Sequence, residues 1–317
     1  MMSGQPVVSI LIPTYNYAHF LDETINTALA QTYTDYELLI VDNHSTDNTI
    51  EVVTPYLKDP RVKFHRNETN IGLVGNWNKC LELARGKYIK MLCADDLWDP
   101  TILEKYVKVM EAHPNVALVT CDKKAIGSKH HETITPLTHL QDGQFAIMHM
   151  ITGNYCWIGE PSSVMFRARD LTVGKFSDEY RQYVDYEMWI RLLTKGDCYI
   201  IPEILTYVRF HADTNSNDLK KQQFVLCFEE YKLTKAVQQH KYDINYDGFD
   251  IDKAVKERAA ACIRRAMLRN IPWLHLSSRR KVFMEAFRIA REENMLTSIF
   301  GELAGGVQKN FVKQFAK

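Results

Sequence analysis

Three aspartates, far apart in the chain, each follow an apolar run. Asp42 ends Leu38-Leu39-Ile40-Val41, and Asp95-Asp96 follows Tyr88-Ile89-Lys90-Met91-Leu92-Cys93-Ala94. Strands of a parallel sheet finish in this way, and such sheets bind ligands just beyond their carboxyl ends. Carboxylates that converge on one crevice repel each other unless a cation sits between them. The chemistry predicted is therefore a divalent metal and phosphate site.

The elements that must position these groups follow from periodicity. Val7–Ile12, Tyr36–Val41, Val62–His65, Tyr88–Ala94 and Val116–Cys121 read as buried strands. Between them, apolar residues recur at helical spacing: Phe20, Leu21, Ile25, Ala28 and Leu29; Ile50, Val53 and Leu57; Val74, Trp77, Leu81 and Ala84; and a run opened by Asp99-Pro100 and stopped by Pro114. Ser45 or Thr46 is the expected cap of the second helix. Strands alternating with helices predict an α/β layer with a mainly parallel sheet. Lys123–Gln144 is polar and reads as a loop. Strands are expected at Ser163–Phe166, Tyr199–Ile201 and Leu205–Phe210, with a helical pattern at Tyr186–Thr194. Residues 219–240, 252–270 and 277–294 read helical, with a break at Pro272 and a junction near Ala212–Asp218. The division expected is a sheet domain over 1–217, with halves 1–122 and 123–217, and a helical region over 218–317.

The chain has 317 residues and a formal net charge of zero, which argues against a general nucleic-acid binder. The balance hides an asymmetry: 14 Lys and Arg against 6 Asp and Glu from Ile251 to Lys317. Arg264, Arg265, Arg269, Arg279, Arg280, Lys281, Arg288 and Arg291 alternate there with Phe283, Phe287, Phe300, Phe311, Val312 and Phe315. Basic amphipathic helices of this kind suit an anionic membrane surface, or pack their apolar side on the rest of the chain or on a second copy in a homo-oligomer. Seven scattered cysteines without a C-x-x-C read as reduced, buried thiols of a cytoplasmic protein. The amino terminus lacks the pattern of a signal peptide, and no apolar run is long enough to span a bilayer.

Two loops carry further candidates. Pro13-Thr14-Tyr15-Asn16 follows the first strand and offers backbone groups and a ring on which a base could stack. In Val41-Asp42-Asn43-His44-Ser45-Thr46-Asp47, Asp42 can accept from a pyrimidine N–H or a ribose hydroxyl, or simply cap its loop. Asn70-Ile71-Gly72 and Gly75-Asn76-Trp77-Asn78 lead into a helix, whose N-terminus favours anions. No G-x-G-x-x-G or G-x-x-x-x-G-K-[ST] occurs, which argues against dehydrogenases and P-loop enzymes.

Taken in order, these motifs resemble the family 2 glycosyltransferases, inverting enzymes with a GT-A fold: a Rossmann-like, mixed but mainly parallel sheet flanked by helices, here with a helical C-terminal region. The resemblance spans roughly Val7–Ser216. It rests on Pro13-Thr14-Tyr15-Asn16, Val-Asp-x-x-Ser-Thr-Asp at 41–47, Asn70-Ile71-Gly72, Gly86-Lys87-Tyr88-Ile89 leading to Asp95-Asp96, and Asp185. It implies a donor site for a UDP- or dTDP-sugar built from Pro13, Thr14, Tyr15, Asn16, Asp42, Asn70 and Asp95, with Asp95 facing the ribose. Asp96 is the implied ligand of Mg2+ or Mn2+, with His211 reaching the metal or the diphosphate and Arg209 a phosphate. Asp185 is the implied catalytic base, with Glu187 in reserve. Trp157 and Glu160 border the acceptor side. The sequence departs from the family pattern at Cys93 and Val184, where acidic residues are usual.

The implied activity is transfer of a sugar to an acceptor hydroxyl, with a carbohydrate or lipid-linked glycan as acceptor. The setting is surface polysaccharide or glycolipid assembly at the inner face of the cell membrane. A non-catalytic nucleotide-sugar-binding subunit is the alternative. A nucleotidyltransferase is disfavoured, because the loop after the first strand lacks glycine, lysine and arginine.

Overall fold

The computed structural model of the chain describes residues 4–153, 156–211, 223–270 and 277–297. Backbone contacts divide the chain into two compact units, Met1–Thr214 and Asn215–Lys317.

In the first unit the elements run β1 (Val8–Thr14), α1 (Ala18–Leu29), β2 (Tyr36–Asp42), α2 (Thr49–Val53), β3 (Val62–Arg66), α3 (Gly72–Leu83), β4 (Tyr88–Met91), β5 (Leu97–Trp98), α4 (Ile102–Ala112) and β6 (Val116–Gly127). There follow β7 (Glu132–Thr133), β8 (His139–Gln141), α5 (Gly143–Gly153), β9 (Met165–Arg167), α6 (Val184–Leu193) and β10 (Asp197–Phe210). Every residue of β1, β2 and β4 is buried, as expected of strands covered on both faces. Leu21, Ile25 and Ala28 of α1, one helical face, pack on them.

The strand order is β3-β2-β1-β4-β9-β6-β10-β5, with β7 beside β6 and β8 beside β10. β3, β2, β1 and β4 are parallel. β9 is antiparallel to both β4 and β6, and β10 is parallel to β6. β6 and β10 therefore point the same way as β4. One sheet edge collects the carboxyl ends of β1, β2, β4, β6 and β10, together with the segment entering β9.

Three local expectations are corrected. Helix α2 begins at Thr49, not beside Ser45 or Thr46: Asp47 Oδ1 takes the Thr49 N–H at 3.2 Å, and Ser45 and Thr46 are used by a neighbouring loop. The polar stretch 123–144 is partly strand. β6 continues to Gly127 because β10 pairs with it that far, a long-range contact that local polarity does not signal. The strands expected at 199–201 and 205–210 are one strand, β10, whose register slips between Ile201 and Ile204 around Pro202.

In the second unit, α7 (Gln223–Gln238), α8 (Ile251–Asn270) and α9 (Ser277–Glu292) share a core of Cys227, Tyr231, Val255, Ala259, Cys262, Ile263, Ala266, Ala286, Ile289 and Ala290. The alanines let the helix axes approach closely. Lys235 and the Tyr231 hydroxyl both reach Glu293, at 2.7 and 2.8 Å, which ties α7 to the end of α9. The junction near Ala212–Asp218, the break at Pro272, and Phe300, Phe311, Val312 and Phe315 lie outside the described residues. Among the described residues no helix is long and apolar enough to cross a membrane.

Candidate active site

At the β1 and β2 ends, two loops are stitched together. Asn16 adopts a left-handed backbone (φ 56°), which asparagine tolerates. Its N–H donates to Ser45 Oγ at 2.8 Å, and its Oδ1 accepts the Thr46 N–H at 2.8 Å. Asp47 Oδ2 takes the Ala18 N–H at 3.0 Å. Pro13 and Thr14 are buried, and Tyr15 is 42% exposed at the rim. Asp42 is fully buried: Oδ1 accepts the Ser45 N–H at 3.0 Å, and Oδ2 lies 3.5 Å from Arg66 Nε.

Behind them an asparagine network fixes the loop before α3. Asn43 Oδ1 accepts from Asn67 Nδ2 (3.1 Å) and the Ile71 N–H (2.9 Å), while its Nδ2 donates to Asn70 Oδ1 (2.8 Å). Asn70 Oδ1 also takes the Gly72 N–H at 2.9 Å. Asn70 is thus used within its own loop rather than presenting its amide oxygen outward.

After β4 the chain turns through Asp95 and Asp96. Thr24 of α1 donates its hydroxyl to the carbonyls of Ala94 (3.0 Å) and Asp96 (3.1 Å), anchoring the turn. Asp96 Oδ1 accepts the Arg209 N–H at 2.9 Å, and Oδ2 accepts the Ser162 hydroxyl at 2.6 Å. His211, just past β10, pairs with Asp95: its Nε2 lies 3.0 Å from Asp95 Oδ2, while the two Asp96 oxygens are bonded to Arg209 and Ser162. The His211 ring packs on Tyr17 and Phe20, with centroids 5.5 and 4.7 Å away. Arg209 is held by the Asp95 carbonyl (2.9 Å) and Glu23 (2.5 Å).

Burial raises Asp95, against the opposing influence of His211. Burial, and then the Asp95 charge, push Asp96 well above the ordinary carboxylate range. These are carboxylates short of positive charge. Among the described residues no three His, Cys, Asp or Glu side chains already surround one point. A Mg2+ or Mn2+ that shares its shell with phosphate oxygens and waters needs only one or two protein carboxylates, so these residues fit such an ion. Cys93 is a different case: burial pushes its thiol well up, so it stays neutral and suits no hard cation.

Asp185 lies in the first turn of α6, its Oδ1 accepting the Tyr186 N–H at 2.8 Å. Burial pushes it up to about 7; the Glu160 charge adds to the rise, and Lys123 opposes it. Lys123 Nζ is 3.5 Å from Glu160 Oε2. The Glu160 charge acts on Asp96 as well as on Asp185, so one carboxylate is electrically in range of both. Gly159, at φ +98°, makes room for the lysine: a Cβ there would meet Lys123 Nζ at 2.0 Å.

Two acceptor-side expectations are corrected. Trp157 is 1% exposed, so its ring offers no face to a sugar. Glu187 is buried, and its two oxygens take Arg191 Nε (2.9 Å) and Nη2 (2.8 Å), which removes it as a reserve base.

A family model described as "Glycosyl transferase family 2" matches residues 9–169. The chain belongs to glycosyl transferase family 2. It is 31% identical over 191 residues to an Escherichia coli UDP-Glc:alpha-D-GlcNAc-diphosphoundecaprenol beta-1,3-glucosyltransferase, covering 59% of this chain and 70% of that protein. It is 30% identical to an uncharacterised glycosyltransferase of Methanocaldococcus jannaschii, over 69% of this chain and 76% of the relative. Among solved structures it resembles S. aureus TarS in complex with UDP-GlcNAc, with a TM-score of 0.67 and 16% identity over 88% of this chain and 79% of that one. It also resembles the Pyrobaculum calidifontis mannosyltransferase in complex with GDP-Man and Mn2+, with a TM-score of 0.57 and 16% identity over 93% and 88%. The fold is GT-A, and the protein is a glycosyltransferase.

Sequence reading of this glycosyltransferase missed Ser162, Lys123 and Lys90. Ser162 bonds to Asp96 across 66 residues, and nothing local marks it. Lys123 opens the polar stretch 123–144, whose local composition signals a loop. Lys90 carried a signal, a charge inside an otherwise apolar strand.

Proposed function

We propose that this enzyme moves a sugar from a UDP- or dTDP-sugar to an acceptor hydroxyl, with inversion at the anomeric carbon. The observation that carries the reading is that one carboxylate, Glu160, raises both Asp96, beside the Asp95–His211 pair, and Asp185, which supports placing them around one site. Asp185 accepts the proton of the acceptor hydroxyl, whose oxygen forms a bond to the anomeric carbon. The bond to the diphosphate breaks on the opposite side, and its electron pair leaves with the nucleoside diphosphate. A base raised to about 7 suits this work, since about half of it is ionised at neutral pH and the ionised form is a good proton acceptor. Asp95, with His211 and Asp96 beside it, would hold Mg2+ or Mn2+, which when bound supplies positive charge to the leaving diphosphate. The buried Asp42 and the stitched loops at Asn16 and Asn43 support the nucleobase and ribose end.

The relative acting on a diphosphoundecaprenol-linked sugar supports a lipid-linked glycan acceptor and a place in surface polysaccharide assembly. The exposed Arg264, Arg265, Arg280, Lys281 and Arg291 of the helical unit support contact with an anionic membrane surface.

The test is a thermal-shift screen of UDP, dTDP, GDP and CMP with and without Mn2+, followed by transfer assays with the matching sugar nucleotides and NMR of the product anomer. The expected result is stabilisation by a uridine or thymidine diphosphate that grows with Mn2+, and an inverted product. Silence toward every nucleotide would overturn the reading. Binding without transfer to any acceptor would favour a non-catalytic subunit.

A further inference from the structure

We propose that Lys90 is a positioning residue for the donor end of the site, acting through Ser162 to hold Asp96 in place. The inference rests on the reading above, in which Asp96 helps to hold a nucleoside diphosphate with its cation.

Lys90 lies in β4 and is completely buried. Its Nζ donates to the Ser162 carbonyl at 2.5 Å and sits over the rings of Trp98 (4.5 Å to the centroid) and Tyr106 (5.0 Å). Among the described residues it forms no ion pair with a carboxylate. A buried amino group is costly to place here, and burial pulls it down to about 7; an apolar side chain of the same volume would fill the space without that cost. What the amino group adds, charged or neutral, is a donor that grips one peptide group.

That peptide is held from several sides. The Ser162 carbonyl also accepts from Trp98 Nε1 at 2.7 Å and from Thr206 Oγ1 at 3.3 Å. Donors from β4, β5 and β10 thus fix a single oxygen. The side chain of the same residue faces the turn after β4. Ser162 Oγ accepts the Cys93 N–H at 2.9 Å and donates to Asp96 Oδ2 at 2.6 Å. A shift of the Ser162 peptide therefore moves the hydroxyl away from Asp96. Lys90 sets the backbone, Ser162 transmits the setting, and Asp96 receives it.

Coupling to Ser162 separates this role from a purely electrostatic one. A lysine acting by charge alone acts on the cation and on Asp96 without Ser162, so its loss adds to that of Ser162→Ala. A positioning lysine acts through Ser162, and the two losses do not add.

The experiment uses the full chain, saturated with whichever of UDP, dTDP or GDP stabilises the wild type most. Mn2+ is titrated by calorimetry into wild type, Lys90→Met, Lys90→Gln, Ser162→Ala, the Lys90→Met/Ser162→Ala double variant and Tyr106→Phe. Tyr106→Phe is the control, because it removes a buried bond to the Ser163 carbonyl in the same pocket without touching Asp96. Lys90→Met and Ser162→Ala are expected to weaken Mn2+ binding about tenfold each, the size of a lost hydrogen bond to a charged group. The double variant is expected to be no weaker than the worse single, since both act along one chain of contacts. Lys90→Gln, which keeps a donor, falls between wild type and Lys90→Met, and keeps the test alive if the methionine variant does not fold. Nucleotide affinity in EDTA and the affinities of Tyr106→Phe stay at wild-type values. Unchanged or tighter Mn2+ binding in the Lys90 variants that fold, or strict additivity in the double, overturns the inference while leaving the donor site standing. A wild type that binds no nucleoside diphosphate with Mn2+ overturns both.

Discussion

His211 Nε2 sits 3.0 Å from Asp95 Oδ2, joining the end of β10 to the turn after β4 across 116 residues of sequence. The contact exists because β9 runs antiparallel between β4 and β6, so that β10, parallel to β6, ends on the same sheet edge as β4. Under the proposed function, Asp95 is the carboxylate that would face the cation, with Asp96 held by Ser162 and Arg209.

His211→Ala is therefore expected to weaken Mn2+ binding to the nucleotide-loaded enzyme by roughly 10–100-fold, the range for loss of a supporting metal-site group. Asp95→Asn should cost at least as much. Calorimetric titration of Mn2+ checks both, and wild-type affinity in Asp95→Asn would remove the cation from this position.

Asp185→Asn should lower kcat by about 10²–10⁴ through loss of the general base, with little change in the KM for the sugar nucleotide. Steady-state kinetics with the best donor and acceptor decide. A variant that keeps its kcat would show that another group takes the proton.

The pH profile should follow the same residue. Asp185 must be ionised to act, so kcat is expected to fall as pH drops below about 7. The stability effect has the opposite slope. A carboxyl whose folded pKa is raised makes the folded state hold its proton longer than the unfolded chain. Stability therefore falls as pH rises from the ordinary Asp value toward about 7. Asp185→Asn removes this penalty and should stabilise the fold by roughly 2–4 kcal/mol at pH 8, and by much less near pH 4. Denaturant unfolding at the two pH values measures it.

Gly159→Ala should destabilise the first unit by about 1–3 kcal/mol, since it combines a strained positive φ with a Cβ set against a buried ammonium. Adding Lys123→Ala should recover the steric part but not the backbone part. Thermal unfolding of the single and double variants separates the two.

Asn43→Ala leaves the Ile71 N–H without its acceptor and takes one of two acceptors from Asn67 Nδ2, which keeps Asn76 Oδ1 at 2.9 Å. A loss of roughly 1–3 kcal/mol is expected from one orphaned half-buried donor and one donor that keeps a single bond. Nucleotide affinity should fall with it, because the loop before α3 is no longer held, and a melting curve with and without UDP reads both.

Much of the catalytic unit is legible along the chain. The apolar runs at Val8–Thr14, Tyr36–Asp42 and Tyr88–Met91 announce parallel strands, and Asp42, Asp95 and Asp96 sit at or just past their ends because ligand loops follow the carboxyl edge. These signals are local: periodicity, burial and turn chemistry act within a few residues. Which groups meet is not local. That His211 reaches Asp95 rather than Asp96, that Ser162 and Lys90 stand behind Asp96, and that Trp157 and Glu187 are turned inward were decided by the antiparallel insertion of β9 and the register of β10 on β6. Strand pairing over such separations depends on how the whole sheet buries its two faces, and no short window of sequence records that choice.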